Sequence, residues 1–362
     1  MSDGPIMILA GGTGGHVFPG LAVADELRQR SKPVVWMGTR AGLEARLVPE
    51  AGIEVEWISV SGVRGRGPLA WIMAPFKILL AVVQAIAALR RRRPDAVLGL
   101  GGFVSGPGGI AAWLTRRPLL IHEQNAVAGT TNRILARFAK KIFGAFPNSF
   151  PANFDVELVG NPVRESILAL PLPSERFASR EDTALRILVL GGSQGARVLN
   201  ERVPEALRLL PEDAEVDIWH QAGRGLEAAR EAYAGSDREI RIDAFIDDMA
   251  AAYAWADLVI CRAGALTVSE LAAAGVGAVL IPFPYAIDDH QLKNASSFAE
   301  AGAGVVIAET EFDAERLVRE ISRFVDDHQS LVRLADKARE QALPRATQRL
   351  ADACLEFAEA GS

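Results

Sequence analysis

Ile6-Met7-Ile8-Leu9-Ala10 runs directly into Gly11-Gly12-Thr13-Gly14-Gly15-His16 near the start of the chain, and this stretch decides the fold. A short apolar run that ends in closely spaced glycines and continues at helical spacing indicates a buried strand, a tight loop and a helix. A second stretch has the same form, because Ile187–Leu190 leads into Gly191-Gly192-Ser193-Gln194-Gly195-Ala196 and another helical segment. Two such openings, half a chain apart, predict two Rossmann-like domains in tandem.

Short apolar runs alternate with helical segments through most of the remaining chain, as in βαβ units with parallel strands. Further strands are predicted at Pro33–Met37, Ala96–Leu100, Pro118–Ile121, Val216–Trp219, Leu258–Cys261 and Val279–Pro282. We predict an α/β protein with an N-terminal domain of residues 1–163 and a C-terminal domain of residues 164–340. Because ligands bind at the carboxyl ends of parallel strands, we expect the domains to face each other across a cleft that both glycine loops line.

Composition and charge exclude several classes of protein. The 362 residues are 49% hydrophobic and 23% charged, which is typical of a folded chain with more than one core. The net charge of −6 argues against a general nucleic-acid-binding protein. Residues 1–163 nevertheless hold 18 Lys and Arg against 11 Asp and Glu, a local balance of +7. An anionic membrane surface attracts such a basic region, although chance scatter of surface charge is the alternative.

The glycine loops suit a phosphate group, because backbone N–H groups and a helix N-terminus can approach the anion closely. The loop at 11–16 lacks the third glycine of the dinucleotide-binding pattern. The next predicted strand ends in Gly38-Thr39, where a nicotinamide-binding domain carries an acid. The chain also lacks the glycine–lysine pattern of nucleoside triphosphatases. The dehydrogenase and triphosphatase interpretations are therefore both disfavoured.

Two positions are candidates for acid–base catalysis. His16 lies in the first turn of a predicted helix, where the helix dipole opposes protonation and favours a neutral imidazole that can act as a base. His122-Glu123-Gln124-Asn125 follows a predicted strand, so its polar side chains are expected at the same edge of the sheet. We predict His16 as the general base, with Glu123 as the rival. For His16 the alternative is a histidine that contacts phosphate or is simply packed. For the segment 122–125 the alternative is a loop cap.

A second polar segment opens the helix after Leu258–Cys261. Thr267 and Glu270 have the spacing of a helix capping box, which is one interpretation. The other is a carboxylate at Glu270 that accepts hydrogen bonds from a ribose diol. The adjacent acids at 247–248 and 288–289 lack the spaced Asp-x-Asp of metal-dependent sugar transferases, so we expect neither a protein-bound metal nor another cofactor.

The longest apolar stretch, Leu69–Leu89, is followed by four arginines at 90–93. Its apolar residues recur at intervals of three and four, which marks one face of a helix. Pro75 and Lys77 argue against a membrane span, because a central lysine costs about 2.5–3.5 kcal/mol in a bilayer. A core helix and a helix lying in the membrane interface remain as alternatives.

Taken together, the segments 11–16, 99–109, 122–125, 160–164, 191–196, 265–270 and 289–291 resemble the MurG family of UDP-N-acetylglucosamine transferases. This resemblance extends from about residue 6 to past residue 340. It implies a two-Rossmann, GT-B-type glycosyltransferase whose last helix, within 341–362, returns to the first domain. It also implies inverting transfer of N-acetylglucosamine from UDP-N-acetylglucosamine to the 4-hydroxyl of undecaprenyl-diphosphoryl-N-acetylmuramoyl-pentapeptide. The enzyme would be peripheral on the cytoplasmic face of the inner membrane.

The resemblance also implies roles for individual residues. The expected donor-binding residues are Thr13, Gly14, Gly15, Asn125, Arg164, Ser193, Ile246, Ala265, Leu266, Thr267, Val268, Ser269, Glu270 and Gln291. The expected membrane or acceptor residues are Ile72, Phe76, Lys77, Leu79, Val83, Gly102 and Ser105. A UDP-N-acetylglucosamine 2-epimerase is the enzymatic alternative, and a membrane-associated scaffold that senses a sugar nucleotide is the alternative from another class.

Overall fold

The computed structural model describes residues 4–60, 68–178, 180, 184–192 and 195–360, with the side chains of 68–72, 287 and 326 left aside. Contacts divide the chain into two compact units. Unit 1 holds residues up to Val163 together with the segment from Leu343 onwards, and unit 2 spans Arg164–Ala342.

Unit 1 alternates strands and helices, and most of its helices follow a strand directly. Its elements in the described part of the chain are β1 Ile6–Leu9, α1 Gly14–Gln29, β2 Val34–Gly38, α2 Glu44–Glu50, β3 Glu54–Trp57, α3 Pro68–Arg92, β4 Ala96–Gly99, α4 Ser105–Leu114, β5 Leu119–Glu123, α5 Thr130–Leu135, β6 Lys141–Gly144 and β7 Val156–Leu158.

The strands of unit 1 form a parallel sheet in the order β3-β2-β1-β4-β5-β6-β7. The strands that follow β1 in the chain are added on one side of it, and those from β4 onwards on the other side. The boundary between β1 and β4 is therefore the switch point, where doubly wound sheets bind ligands. The loops after β1 and β4 therefore lie side by side. Both faces of the sheet are covered: one packs α1, and the other packs α3, α4 and α5.

Unit 2 has the same alternation of strands and helices around a parallel sheet. Its described elements are α6 Glu165–Leu168, α7 Pro173–Ala178, β8 Leu185–Leu190, α8 Arg197–Leu209, β9 Val216–Gln221, α9 Leu226–Tyr233, β10 Ile240–Asp243, α10 Met249–Trp255, β11 Leu258–Cys261, α11 Ala265–Ala274, β12 Gly277–Leu280, α12 His290–Glu300, β13 Gly304–Val306, α13 Ala314–Asp326 and α14 His328–Glu340. The sheet order is β10-β9-β8-β11-β12-β13, so the switch point lies between β8 and β11.

The last helix, α15 (Ala346–Ala360), belongs to unit 1. Its buried residues Leu350, Ala351 and Cys354 join the core around β1 and α1. Arg349 adds an ion pair to Glu157 of β7, with Nε 2.5 Å from Oε1.

The prediction of two parallel-sheet α/β domains is confirmed. Each strand predicted from an apolar run is present, within two residues of its predicted ends. Within the described residues the sheets also contain β3, β6, β7, β10 and β13, which we did not predict. These strands have three or four residues, and all but β13 include a charged side chain, so they do not stand out as apolar runs.

Candidate active site

Two glycine loops of unit 1 make direct backbone contact at the switch point. Gly102, in the loop after β4, has a φ of +78°, and a Cβ there would lie 2.2 Å from the carbonyl oxygen of Gly11. Its neighbour Gly101 has a φ of +100°, and a Cβ there would lie 2.7 Å from Nδ1 of His16. Glycine is needed at both positions, for the left-handed backbone and for the close approach.

A buried carboxylate holds the first of these loops. Glu44, fully buried at the start of α2, accepts a hydrogen bond from the N–H of Gly12 at 2.8 Å. Its other oxygen accepts from the N–H of Thr39 at 3.0 Å and from the Thr39 hydroxyl at 2.8 Å. Glu44 thus joins the loop after β1 to the end of β2. We did not predict this role, because nothing in the spacing of Glu44 distinguishes it from a surface acid.

His16 lies in the first turn of α1 and is half-buried. Its Nδ1 is 3.2 Å from Oε1 of Gln124. The Gln124 amide nitrogen is 2.7 Å from the carbonyl oxygen of Leu100 and 3.1 Å from Nδ1 of His122. Nε2 of His122 is 2.9 Å from the carbonyl oxygen of Gly160. Burial lowers the pKa of His122 from 6.5 to about 4, so this imidazole is neutral at pH 7.

Glu123, the rival base, is buried at the end of β5 and is occupied by N–H donors. Oε1 accepts from the N–H and the side-chain amide of Asn125, at 3.0 and 3.1 Å. Oε2 accepts from the N–H of Gly129 at 3.1 Å and from Nδ2 of Asn132 at 2.8 Å. Four donors on two oxygens suit a carboxylate that orders the loop before α5. His122 and Glu123 belong to β5 itself, whereas we expected them just after it.

The other unit 1 residues predicted to face the donor lie at the start of α1 or beside Glu123. Thr13 is the exposed N-cap residue of α1 and makes no side-chain cap. Gly14 and Gly15 begin the helix and are half-buried. Asn125 is half-buried, and its side chain is bonded to Glu123.

Ser105, one of the predicted membrane or acceptor residues, lies behind the second glycine loop. Its side chain is fully buried at the start of α4. The hydroxyl lies 3.1 Å from the carbonyl oxygen of Leu9 and 2.8 Å from that of Gly101, and it accepts from the N–H of Gly101 at 3.0 Å. Ser105 therefore supports the second glycine loop from behind, and Gly102 forms the contact between loops.

The predicted apolar face of α3 points outwards. Phe76, Leu79 and Val83 are 66%, 62% and 54% exposed, whereas Ala81 and Ala85 on another face are fully buried. Lys77 is exposed beside them, and the side chain of Ile72 lies outside the described set. Met73–Arg92 is long and apolar enough to cross a membrane by length and composition, a test that core helices also pass. The core-helix alternative applies only to the opposite face, which packs on the sheet.

The glycine loop of unit 2 has the same close backbone approach. Gly192, Gly195 and Gly223 all have positive φ, and a Cβ on Gly223 would lie 2.3 Å from the backbone nitrogen of Gly195. The loop after β8 is thus pressed against the loop after β9. Ser193, our predicted phosphate contact, lies outside the described residues.

The segment 265–270 opens α11 directly at the switch point of unit 2. Gly264 is the N-cap residue and no side chain caps the helix, so the capping-box interpretation of Thr267 and Glu270 is wrong. An uncapped helix N-terminus presents backbone N–H groups that suit a phosphate. Asn294 supports this turn, because its buried side-chain amide donates to the carbonyl oxygen of Ala263 at 3.2 Å.

The first two turns of α11 differ in exposure from residue to residue. Val268 is buried. The other predicted donor-binding residues around it are half-buried: Ala265, Leu266, Thr267 and Ser269.

Glu270 is held from two sides within unit 2. Arg164 Nη2 donates to Oε1 at 2.9 Å, and the hydroxyl of buried Tyr253 donates to Oε2 at 3.1 Å. Burial raises the pKa of Glu270, while the Arg164 guanidinium opposes that rise. The carboxylate is therefore oriented at the start of a helix with lone pairs that can accept further hydrogen bonds.

Two further predicted donor contacts lie on loops of unit 2. Ile246 is buried between β10 and α10, with Phe245 exposed beside it. Gln291 accepts the N–H of Phe283 at 2.9 Å through Oε1, so this contact does not use the hydrogens of its NH2 group.

Among the residues that the structure describes, no group of three or more His, Cys, Asp and Glu side chains is placed to hold a metal ion. The residues that our sequence reasoning missed are Glu44, Gln124, Tyr253 and Asn294. Gln124 lies in the polar segment 122–125 that we singled out, but its supporting role and those of the other three residues depend on contacts that no motif shows.

Two doubly wound units, each with a glycine loop at its switch point, form the architecture of GT-B glycosyltransferases, and the family matches below place the chain in that class. Residues 6–144 match the glycosyltransferase family 28 N-terminal domain, and residues 186–350 match the C-terminal domain of that family.

Several relatives are similar to the chain over nearly its whole length. Two are named UDP-N-acetylglucosamine--N-acetylmuramyl-(pentapeptide) pyrophosphoryl-undecaprenol N-acetylglucosamine transferase. The protein from Nitrosococcus oceani is 57% identical over 98% of both chains, and that from Alkalilimnicola ehrlichii is 54% identical over 98% of this chain and 99% of its own. The crystal structure of Acinetobacter baumannii MurG has a TM-score of 0.86 and 43% identity, covering 98% of this chain and 99% of that one. The chain belongs to the MurG family.

Proposed function

We propose that this chain transfers N-acetylglucosamine from UDP-N-acetylglucosamine to the 4-hydroxyl of a lipid-linked N-acetylmuramoyl-pentapeptide, with inversion at the anomeric carbon. The observation that carries this proposal is the near-full-length similarity to relatives named for this transfer. The epimerase alternative needs no lipid acceptor and leaves the exposed apolar face of α3 without a role.

Unit 2 would bind the donor nucleotide. Glu270, oriented by Arg164 and Tyr253, would accept hydrogen bonds from the ribose hydroxyls. The N–H groups at the uncapped start of α11 would receive the diphosphate, where the helix dipole favours negative charge. Arg164, with half of its side chain exposed, would add positive charge as UDP leaves.

Unit 1 would supply the general base. We assign this role to His16 because the oxygens of Glu123 already accept four hydrogen bonds. As the acceptor hydroxyl attacks the anomeric carbon, its proton passes to the imidazole of His16, and the bond from that carbon to the diphosphate breaks. General bases typically contribute about 10²–10⁴-fold to such a step.

The apolar face of α3 would lie in the interface of an anionic membrane on the cytoplasmic side, where the lipid-linked acceptor is embedded. Its exposed Phe76, Leu79 and Val83 are followed along the helix by basic residues at 90–92. Buried apolar area and attraction to anionic lipids together provide the binding energy of such helices. The protein would thus be a peripheral membrane enzyme.

The deciding experiment measures UDP release from UDP-N-acetylglucosamine with and without a muramoyl-pentapeptide lipid, while the sugar is checked for epimerisation. We expect release only with the acceptor, together with a disaccharide product. Epimerisation without acceptor would establish the epimerase. Tight donor binding with no turnover would establish the sensing scaffold.

A further inference from the structure

A continuous line of polar groups runs through the interior of unit 1 from His16 to the backbone of Gly160. It passes through Gln124 and His122 and is called the His16–Gly160 chain below. Its successive distances are 3.2, 3.1 and 2.9 Å. Gln124 and His122 are both buried, so water does not compete for their hydrogen bonds.

The direction of each hydrogen bond follows from the end at Gly160. A carbonyl oxygen only accepts, so Nε2 of His122 carries a proton and donates it to Gly160. Because the pKa of His122 is lowered to about 4 by burial, the ring is neutral and its Nδ1 carries a lone pair. That lone pair accepts a hydrogen from the side-chain amide of Gln124.

The orientation of the Gln124 amide follows next. Its nitrogen lies between two acceptors, Nδ1 of His122 and the carbonyl oxygen of Leu100 at 2.7 Å. Both amide hydrogens are therefore used, and a flipped amide would place an oxygen against both acceptors. The remaining oxygen of Gln124 faces His16 and only accepts, so Nδ1 of His16 must donate.

We infer that the His16–Gly160 chain holds neutral His16 in the tautomer with its proton on Nδ1 and its basic lone pair on Nε2. Gln124 and His122 are then positioning residues, which act on the reaction only through the tautomer of His16. This inference rests on the proposed function, in which His16 takes the proton of the acceptor hydroxyl. A histidine with its proton on Nε2 could not accept a proton at that atom without first changing tautomer.

The tautomer itself is measured without any turnover. Protein labelled with 15N in histidine is compared with the variant His16→Gln, so that the signals of one of the 5 histidines are assigned by difference. Nitrogen chemical shifts and their couplings to ring protons distinguish a protonated from an unprotonated ring nitrogen. We expect His16 to show protonated Nδ1 and unprotonated Nε2 at pH 8. The opposite pattern would overturn the inference.

Two substitutions of Gln124 separate positioning from simple stability. Gln124→Leu removes the acceptor facing His16. We expect kcat to fall about 10–100-fold, by analogy with hydrogen-bond partners that orient metal-ligating histidines. KM for UDP-N-acetylglucosamine should stay within about twofold. Gln124→Glu keeps an oxygen toward His16 but places its second oxygen against the acceptors of Leu100 and His122. It should therefore retain the protonated Nδ1 of His16 and recover only part of kcat.

Thr115→Val serves as the matched control, because it removes a side-chain hydrogen bond to Ala111 within unit 1 but lies outside the His16–Gly160 chain. It should leave kcat and the His16 signals unchanged. If Gln124→Leu keeps the wild-type His16 signals, or if both Gln124 variants lose the same kcat, the positioning role is wrong. A failure of the proposed function is distinguishable, since the wild type would then show no acceptor-dependent UDP release while the nitrogen spectra would be unaffected.

Discussion

Gly102 lies so close to Gly11 that a Cβ on Gly102 would come within 2.2 Å of the carbonyl oxygen of Gly11. This contact joins the two loops at the switch point of unit 1, and one of them leads into the helix that carries His16. The neighbouring atom is backbone, so an added methyl group cannot be accommodated by a change of rotamer.

Gly102→Ala should therefore displace one loop and strain the other. The left-handed backbone alone costs about 1–2 kcal/mol in a residue with a Cβ. We expect transfer to fall about 10²-fold, because small misplacements of reacting groups have effects of that size. Urea unfolding and steady-state kinetics measure both effects. Gly129→Ala is the control, since a Cβ there meets nothing within 4 Å; equal behaviour of the two variants would contradict the argument.

Glu270 gives a prediction on donor recognition. Loss of hydrogen bonds to a charged group costs about 1.5–3 kcal/mol, so Glu270→Ala should weaken UDP binding about 10–100-fold. Wild-type protein should bind 2′,3′-dideoxy-UDP correspondingly less tightly than UDP, and the variant should bind both equally. Calorimetry measures the four affinities. Glu227→Ala, which removes an exposed carboxylate on α9, is the control. A variant that still discriminates the two nucleotides would remove Glu270 from the ribose site.

The architecture was predictable because its main signals are local. The run from Ile6 into Gly11–His16 contains a strand, a loop and a helix start within eleven residues. The similar sequence pattern at 187–196 indicates the second unit. The missed strands are short, and all but β13 include a charged side chain. Val156–Leu158, for example, is stabilised by pairing with Lys141–Gly144, which no pattern within three residues reveals.

The site was predictable only where a residue lies in a local motif. His16 lies in the first turn and Glu270 in the second turn of a helix that follows a strand, and both lie in polar clusters at the switch points. Gln124 and Glu44 could not be assigned, because their partners lie 108 and 32 residues away. The burial of Ser105 could not be predicted, because it depends on how the loop folds back over the strand. The periodicity of α3 identified an apolar face but not whether it faces solvent or core.

Membrane attachment through α3 can be tested apart from catalysis. Phe76→Ser and Leu79→Ser shorten side chains that are mostly exposed, so the fold should be retained. Burial of such a side chain in an apolar phase contributes about 1.5–3 kcal/mol. Each substitution should therefore reduce co-sedimentation with anionic vesicles about 10-fold or more. Turnover on a short-chain, water-soluble acceptor should remain near that of the wild type. Leu209→Ser, on an exposed apolar residue of unit 2, should not change sedimentation; a similar loss there would argue against α3.

Metal independence remains a prediction from the sequence. Asp288 and Asp289 are adjacent residues before α12, and both have a left-handed backbone, with φ of 55° and 53°. We expect full turnover in excess chelator, because helix N–H groups and Arg164 would stabilise the leaving diphosphate. Initial rates with and without chelator measure this. Activity that is abolished by chelator and restored only by a divalent ion would show that the prediction is wrong.

Acid stability should depend on two buried histidines. Burial lowers the pKa of His122 to about 4 and that of His220 to about 3, both below the unfolded value of 6.5. As the pH falls below 6.5, the unfolded chain binds protons that the folded chain does not, so folding stability is present above that pH and is lost below it. Each histidine should contribute a loss of about 1.4 kcal/mol per pH unit between 6.5 and its folded pKa.

The window from pH 6.5 to 5 tests this dependence, because most carboxylates stay ionised there. Urea unfolding at several pH values gives the slope of stability for wild type and for His220→Phe, which keeps a ring packed against Tyr233. The variant should lose about half of the slope that the two histidines produce. Tyr233→Phe is the matched control: it removes the hydrogen bond to Nδ1 of His220 at 2.8 Å but leaves the imidazole buried, so the slope should persist. An unchanged slope in His220→Phe would mean that this histidine titrates alike in both states.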